Sequence, residues 1–419
     1  MGSADRKEVK ELFNYPLLEA IARRRTRRFP VGCNLEVGTT KFKSKNPPFP
    51  LNDIETAVLC WAGAGITGII ASDLCTPGMG NTFCSWVGRA TAMPCSYPTI
   101  KLLFTNDDGV FLYDPKEATK VIEIETEQDR EKLMDQFREG TVRVQDQRLE
   151  TVPEGVLNHM QWNTNKPGMT VFMPIVDMTA EYINLLLGAF EGEGYQMIDD
   201  MNGGRPAGVG KWIDNGVLNG PEVPVSSFEF FTYNACIAPA FLAAQNLQLT
   251  AEAMGLGSIP VAGYTSIVML GGVPGVKGLG FRFEQDKADK PVCVGLDKFF
   301  ETFCPPYKSM DQAVDDFYVS KFGSDGIFGK VYAGPHSHKD REDVLPGYDR
   351  TTEQTVEITK AYCNYIYETY GRFPATFDPI SMPIWMQAHH LETEWYDKYQ
   401  IDGILGENQR QHIKRWHSS

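Results

Sequence analysis

Apolar residues recur at helical spacing at Ala243, Leu247, Ala251 and Met254, which predicts a buried helix that breaks at Gly255 and Gly257. An extended run, Ile259-Pro260-Val261, follows and ends at Gly263. Helix, glycine break and extended backbone can bring peptide groups close to a flat ligand, although many buried helices also end in glycine. A second apolar helix is expected over residues 53–71, opened by the cap-like pair Asn52-Asp53 after a proline-rich connector at 45–50. Residues 16–29 read as a helix leading into a basic cluster, and 126–139 as a charged helix. Strands are expected at 100–105 and 110–113, joined by the hairpin chemistry of Asn106-Asp107-Asp108-Gly109, and again at 170–176.

The pattern then loosens. Residues 190–224 are rich in glycine and read as a long irregular loop, a length that is uncommon unless the loop binds something or closes over it. We place an insertion at about 180–228, with Asp199, Asp200, Arg205 and Trp212 as candidate substrate contacts of a lid. A plain surface loop is the competing reading. Neither a phosphate loop nor a dinucleotide fingerprint occurs there. From about residue 290 aromatic and charged residues dominate, and helices are expected at 309–321, 351–370 and 384–398. This divides the chain into a domain over 1–289 and a mainly helical carboxy-terminal extension or subdomain over 290–419.

Composition narrows the function classes. The 419 residues carry a net charge of −14, which disfavours nonspecific binding to nucleic acid or to anionic membranes. The longest uncharged run, Thr56 to Ser72, is shorter than a membrane span requires. With no signal-like start, the expectation is a soluble, cytoplasmic protein. Its nine cysteines are irregularly spaced and form no Cys-x-x-Cys, so they read as small core hydrophobes in a reducing compartment.

Five arginines fall within Arg23–Arg28, interrupted only by Thr26. They suit a solvated face, a nucleic-acid patch or a phosphate cradle; guanidinium pairs favour phosphate, and the acidic total disfavours nucleic acid. The segment Arg24-Arg25-Thr26-Arg27-Arg28-Phe29 resembles the phosphate-holding opening of the nitroreductase-like flavoproteins. In that likeness Thr26 stands in the serine place and Arg27 or Arg28 makes the later contact. The Gly-Leu-Gly turn at 255–257 is similar to the turn that precedes the flavin-lining segment of the same proteins. Arg89, Pro94-Cys95-Ser96-Tyr97-Pro98 and the hairpin after them resemble the azoline-forming dehydrogenase branch, with Tyr97 where glycine is usual.

The resemblance implies an α+β fold with a mixed sheet flanked by helices, a homodimer and bound flavin mononucleotide (FMN). It implies flavin contacts from Arg24, Arg25, Thr26, Arg28, Pro94, Cys95, Ser96, Ala262 and Gly263, with Lys277 or Arg282 completing the phosphate charge balance. Ala262 replaces the usual acidic residue, so backbone N–H groups would have to stabilise the charge on the reduced ring. Tyr97, Tyr233 and Tyr264 are the candidate catalytic residues.

The expected function is FMN-dependent hydride transfer on a small organic or peptide-derived substrate. A second reading keeps the fold and turns the pocket to another ligand. A third is a metal-dependent enzyme built on His336, His338, His389, His390, Glu392 and Glu394, since His390 and Glu394 would share a face of a helix over 384–398. Adjacent histidines on an aromatic helix more often pack or form hydrogen bonds, and no metal is expected.

Overall fold

The computed structural model of the protein describes residues 3–69, 87–94, 97–115, 127–150, 158–262, 266–326, 329, 339–340, 342 and 351–417. The architecture is α+β. Its main sheet is built from β1 (Ile100–Asn106), β2 (Gly109–Tyr113), β3 (Thr141–Gln145), β4 (Thr170–Asp177), β5 (Gly257–Ala262), β6 (Ile380–Ser381) and β7 (Ile384–His389). The spatial order is β5-β7-β4-β1-β2-β3, with the short β6 also on β4. Every pairing in this sheet is antiparallel, where a mixed sheet was expected. A parallel pairing occurs instead in a small sheet, between Glu222–Pro224 and Gln196–Asp199.

The strand β7 is the main departure from the expected helix over 384–398. Its six residues Ile-Trp-Met-Gln-Ala-His are all buried, so the run carries no alternation to mark it as extended. It pairs with β5 from Gly257–His389 to Ala262–Ile384, and with β4 through Met386–Phe172. Only Thr393–Tyr399 (α8) is helical in that stretch. The sheet thus draws a central strand from beyond residue 290, so residues 290–419 are not peripheral to it.

Three helices cover one face of the sheet, among them α3 (Glu127–Gly140), whose Met134 packs with Leu102 and Phe104. In α2 (Asp53–Ala64), Asn52 accepts from the Ile54 and Glu55 N–H groups, and the Glu55 carboxylate accepts from the Asn52 N–H at 2.7 Å. The helix stops at Gly65, short of the expected residue 71, because the β-branched Ile66-Thr67 run enters a strand over Ile66–Ile69 that pairs with Val87–Arg89. The long helix α5 (Val225–Met254) buries Ala243, Leu247, Ala251 and Met254. Leu247, Ala251 and Met254 join Val58 and Leu59 of α2 against Leu102, Phe172 and Met386 of the sheet. The opposite face is covered by Met269, Leu270 and Phe281, packed on Leu103, Val171 and Trp385.

A separate helical core changes the reading of the middle of the chain. Helix α4 (Thr179–Gly192) packs with α6 (Met310–Phe322) and α7 (Glu353–Tyr370), so residues on both sides of the expected boundary form one cluster. Tyr182, Leu186, Phe190, Phe317, Tyr362 and Ile366 fill it. The expected loop at 190–224 is ordered here as three short strands and a short helix, Gly210–Asp214. Its glycines serve turns between these pieces, and its apolar residues Met197, Ala207, Val209 and Leu218 are fully buried. No described helix is long and apolar enough to cross a membrane.

Candidate functional site

The arginine segment runs from α1 (Leu17–Arg23) along the start of β5 and the end of α5. Arg24 donates to Gln248 Oε1 at 3.2 Å, and Gln248 is buried with its Nε2 lacking a partner among the described residues. Arg27 is buried and ion-paired to Glu252, and a second nitrogen donates to the Ile404 carbonyl at 3.0 Å. Its guanidinium is therefore engaged inside the protein, which leaves the later contact of the expected cradle to Arg28. Arg25, Thr26 and Arg28 are exposed; Arg25 donates to the carbonyls of Ala22 and Arg24.

The remaining flavin candidates are scattered. Ala262 is exposed at the far end of β5 from Gly257, whose hypothetical side chain would meet the Arg27 carbonyl. Five residues of strand separate the two, about 17 Å. Arg282 lies among Asp297, Glu301 and Glu284, and hydrogen bonding to Glu301 first, opposed by burial and aided by Asp297, raises its pKa. Three carboxylates leave it unsuited to a phosphate. Lys277 and Pro94 are exposed, whereas Cys95, Ser96, Gly263 and Tyr264 lie outside the described residues, as do His336 and His338. Tyr97 packs near Phe317 at 5.5 Å in the helical core, while Tyr233 stacks on Phe377 at 4.3 Å in a different cluster.

The lid candidates divide. Asp199 is fully buried and accepts from the hydroxyls of Tyr365 at 2.8 Å and Tyr370 at 2.7 Å. Trp212 is buried in the helical core. The Asp199 carboxylate ties the small sheet to α7, and the Trp212 indole fills part of the core. Asp200 is exposed and accepts from the Ser226 backbone and hydroxyl at the start of α5. Arg205 is exposed, with its Nε 3.2 Å from the Tyr365 hydroxyl.

A second constellation was not anticipated as a set. Helix α9 (Glu407–Trp416) returns the chain end to the start of α2, and brings His412 and His417 to Glu55 and His390. Glu55 Oε1 lies 3.1 Å from His390 Nε2, 2.6 Å from His412 Nε2 and 3.1 Å from His417 Nε2. The Nε2 atoms of His390 and His417 are 3.1 Å apart. Glu55, His390 and His412 are almost wholly buried and His417 is partly exposed.

Burial opposes ionisation of Glu55, but its contacts with His390, His412 and His417 outweigh burial and hold the carboxyl well below its usual range. Burial pushes the His412 imidazole down, against the pull of Glu55. Neighbouring His389 takes no part: it is buried in β7, and its Nε2 faces the Arg27 carbonyl at 3.0 Å. Nor do Glu392 and Glu394 join the set; Glu392 accepts from Ser44 and Glu394 pairs with Lys45 at 2.8 Å. Among the described residues of the histidine motif singled out in the sequence, His390 alone reaches the cluster. The three histidines lie 335, 357 and 362 positions from Glu55, separations no local pattern records.

No family model matches the chain, and no curated protein does. Among solved structures, one described as a nitroreductase from Ralstonia eutropha JMP134 aligns at 15% identity and a TM-score of 0.25, covering 59% of this chain and 70% of that one.

Proposed function

We propose that the chain is a flavin-dependent oxidoreductase of the nitroreductase type, a homodimer that binds FMN and transfers hydride to or from a small organic or peptide-derived substrate. One observation carries the reading. Two stretches that resemble this family, the arginines at 24–28 and the helix before Gly255, pack together through Arg24–Gln248 and Arg27–Glu252.

The residues at this place suit an anionic ligand. Arg25 and Arg28 are exposed beside Arg24, and the buried Gln248 amide has an unused donor. In this reading Arg24, Arg25 and Arg28 hold the phosphate by paired hydrogen bonds, while Arg27 fixes the segment on α5. Flavin, when bound, supplies a two-electron hydride acceptor and donor. The Ala262 peptide at the exposed end of β5 is the backbone candidate for the ring, and Lys277 is a further exposed candidate for the phosphate charge. Exposed Leu17, Leu18 and Ile21 on α1 lie on the helix that packs on α5, where Phe241 and Leu242 are also exposed. This apolar surface is what a second copy of the chain would cover.

The test is optical. Protein purified with FMN present should show the flavin bands, and titration should quench flavin fluorescence at one FMN per chain. A colourless protein that leaves FMN fluorescence unchanged would sink the reading and favour the alternative, a protein that uses this surface for another anion.

A further inference from the structure

The geometry points to a site for a divalent transition-metal ion of the zinc type, formed by Glu55, His390, His412 and His417 and joining the carboxy-terminal helix to the core. The four ligand atoms all lie within 4.8 Å of one another. Ligand atoms on a tetrahedral zinc ion, with bonds of about 2.1 Å, lie about 3.4 Å apart. Four of the six separations here are between 2.6 and 3.1 Å, so a small relaxation outward admits the ion.

Backbone carbonyls fix where the imidazole protons sit. His390 Nδ1 is 2.8 Å from the Phe49 carbonyl and His412 Nδ1 is 2.7 Å from the Met254 carbonyl. A carbonyl oxygen only accepts, so each Nδ1 carries the hydrogen, and in the neutral ring each Nε2 presents a lone pair. Both lone pairs face Glu55 Oε1, which is also an acceptor. The other carboxylate oxygen accepts the Asn52 N–H in the helix cap and is held away. His417 Nε2 then enters the same space, 3.1 Å from both His390 Nε2 and Glu55 Oε1.

One proton can bridge one edge of such a triangle at a time, and protonating all the rings would place like charges in contact inside a buried site. A single cation satisfies all four donors together. Outer partners that fix the tautomer through Nδ1–H to a backbone carbonyl are the usual support of histidine metal ligands.

Three imidazoles and a single carboxylate oxygen suit zinc, with cobalt(II) as its spectroscopic substitute. Four protein ligands complete a tetrahedron, so the ion would serve structure. It would join α2, the end of β7, α9 and His417, elements from opposite ends of the chain. Phe49 packs on both His390 and His417, with ring centroids 4.8 and 4.7 Å away, and shields that side. A cavity of about 340 Å³, lined in part by Phe49, Gly255, Gln409 and His412, reaches the cluster from the surface and offers an entry path.

The experiment uses the full chain, stripped with a chelator and then titrated with zinc chloride by calorimetry and with cobalt(II) by visible absorbance. The expected result is one zinc per chain, the intense visible bands of tetrahedral cobalt, and a higher melting temperature with zinc. His417→Ala, which removes the partly exposed ligand, should weaken zinc binding at least about tenfold, the loss seen when even an outer partner of a metal site is removed. Its circular dichroism should stay that of the parent, and His159→Ala, an exposed histidine elsewhere, should bind as the parent does. Absence of stoichiometric zinc binding, an octahedral cobalt spectrum, or equal binding by His417→Ala and the parent would each overturn the proposal. None of these readouts depends on flavin.

Discussion

Arg27 and Glu252, 225 positions apart in the chain, form an ion pair from which water is almost wholly excluded. Gln409 of α9 donates to the other Glu252 oxygen at 2.9 Å, so one carboxylate joins the amino-terminal segment, the end of α5 and the carboxy-terminal helix. Removing one member leaves the other charged and buried. Arg27→Ala should destabilise the protein by about 3–5 kcal/mol in urea unfolding, whereas the double change Arg27→Met with Glu252→Leu should cost much less. Equal losses in the single and double variants would remove the pair as the cause.

Asp199 separates a structural carboxylate from a lid. It holds two tyrosine hydroxyls and the Met201 N–H. Asp199→Ala should therefore lower stability by about 2–4 kcal/mol, as donors lose their buried acceptor. Exposed Asp200→Ala should cost about 1 kcal/mol or less through the lost cap on α5. If Asp199→Ala instead kept its melting temperature and lost activity alone, the lid reading would return.

Gly257 marks a close approach that no side chain fits. A Cβ there would lie 2.5 Å from His389 Nε2 and 2.9 Å from the Arg27 carbonyl. Gly257→Ala should cost about 1–3 kcal/mol by overpacking, seen as a lower melting temperature. Gly255 is constrained differently: at φ +96° it ends α5 in the left-handed region, and its Cβ would fall on the Asn408 carbonyl. Gly255→Ala should also detach α9, exposing Trp416 and changing its fluorescence.

His389 should give the protein an acid limit. Burial pushes its pKa down to about 3, against the hydrogen bond to the Arg27 carbonyl. The ring is neutral: Nε2–H donates to that carbonyl, and Nδ1 accepts from Gln387 at 3.3 Å. The unfolded chain takes up a proton near pH 6.5 and the folded one only near 3, so the unfolded state binds more protons between them. Stability is thus full above about pH 6.5 and falls as the pH drops toward 3. His389→Gln should flatten that slope when unfolding is compared at several pH values; an unchanged slope would assign it to other groups.

The apolar surface on α1 and α5 predicts a dimer. Leu18→Asp with Phe241→Asp should shift the protein to a monomer in sedimentation with its circular dichroism unchanged. A parent that already sediments as a monomer would remove that role from the surface.

Local pattern was enough for several elements. The helix ending at Gly255, the hairpin of β1 and β2, strand β4 and the Asn52 cap all follow from neighbouring residues, because spacing, turn chemistry and capping act over a few positions. The same residues made Arg24–Arg28 visible as a cluster, but not that Arg27 faces inward while Arg25 and Arg28 face solvent. Tertiary structure alone decided the rest. Ile384–His389 is buried on both faces, so its apolar run looked the same as a buried helix until β5 and β4 took its backbone hydrogen bonds. Residues 190–224 looked like a loop because their turns outnumber their periodic positions, and only packing with α4, α6 and α7 gives their apolar side chains a core. Glu55 and His412 stand in no local metal-ligand motif of the sequence. Their meeting with His390 and His417 depends on contacts across most of the chain, which no local spacing encodes.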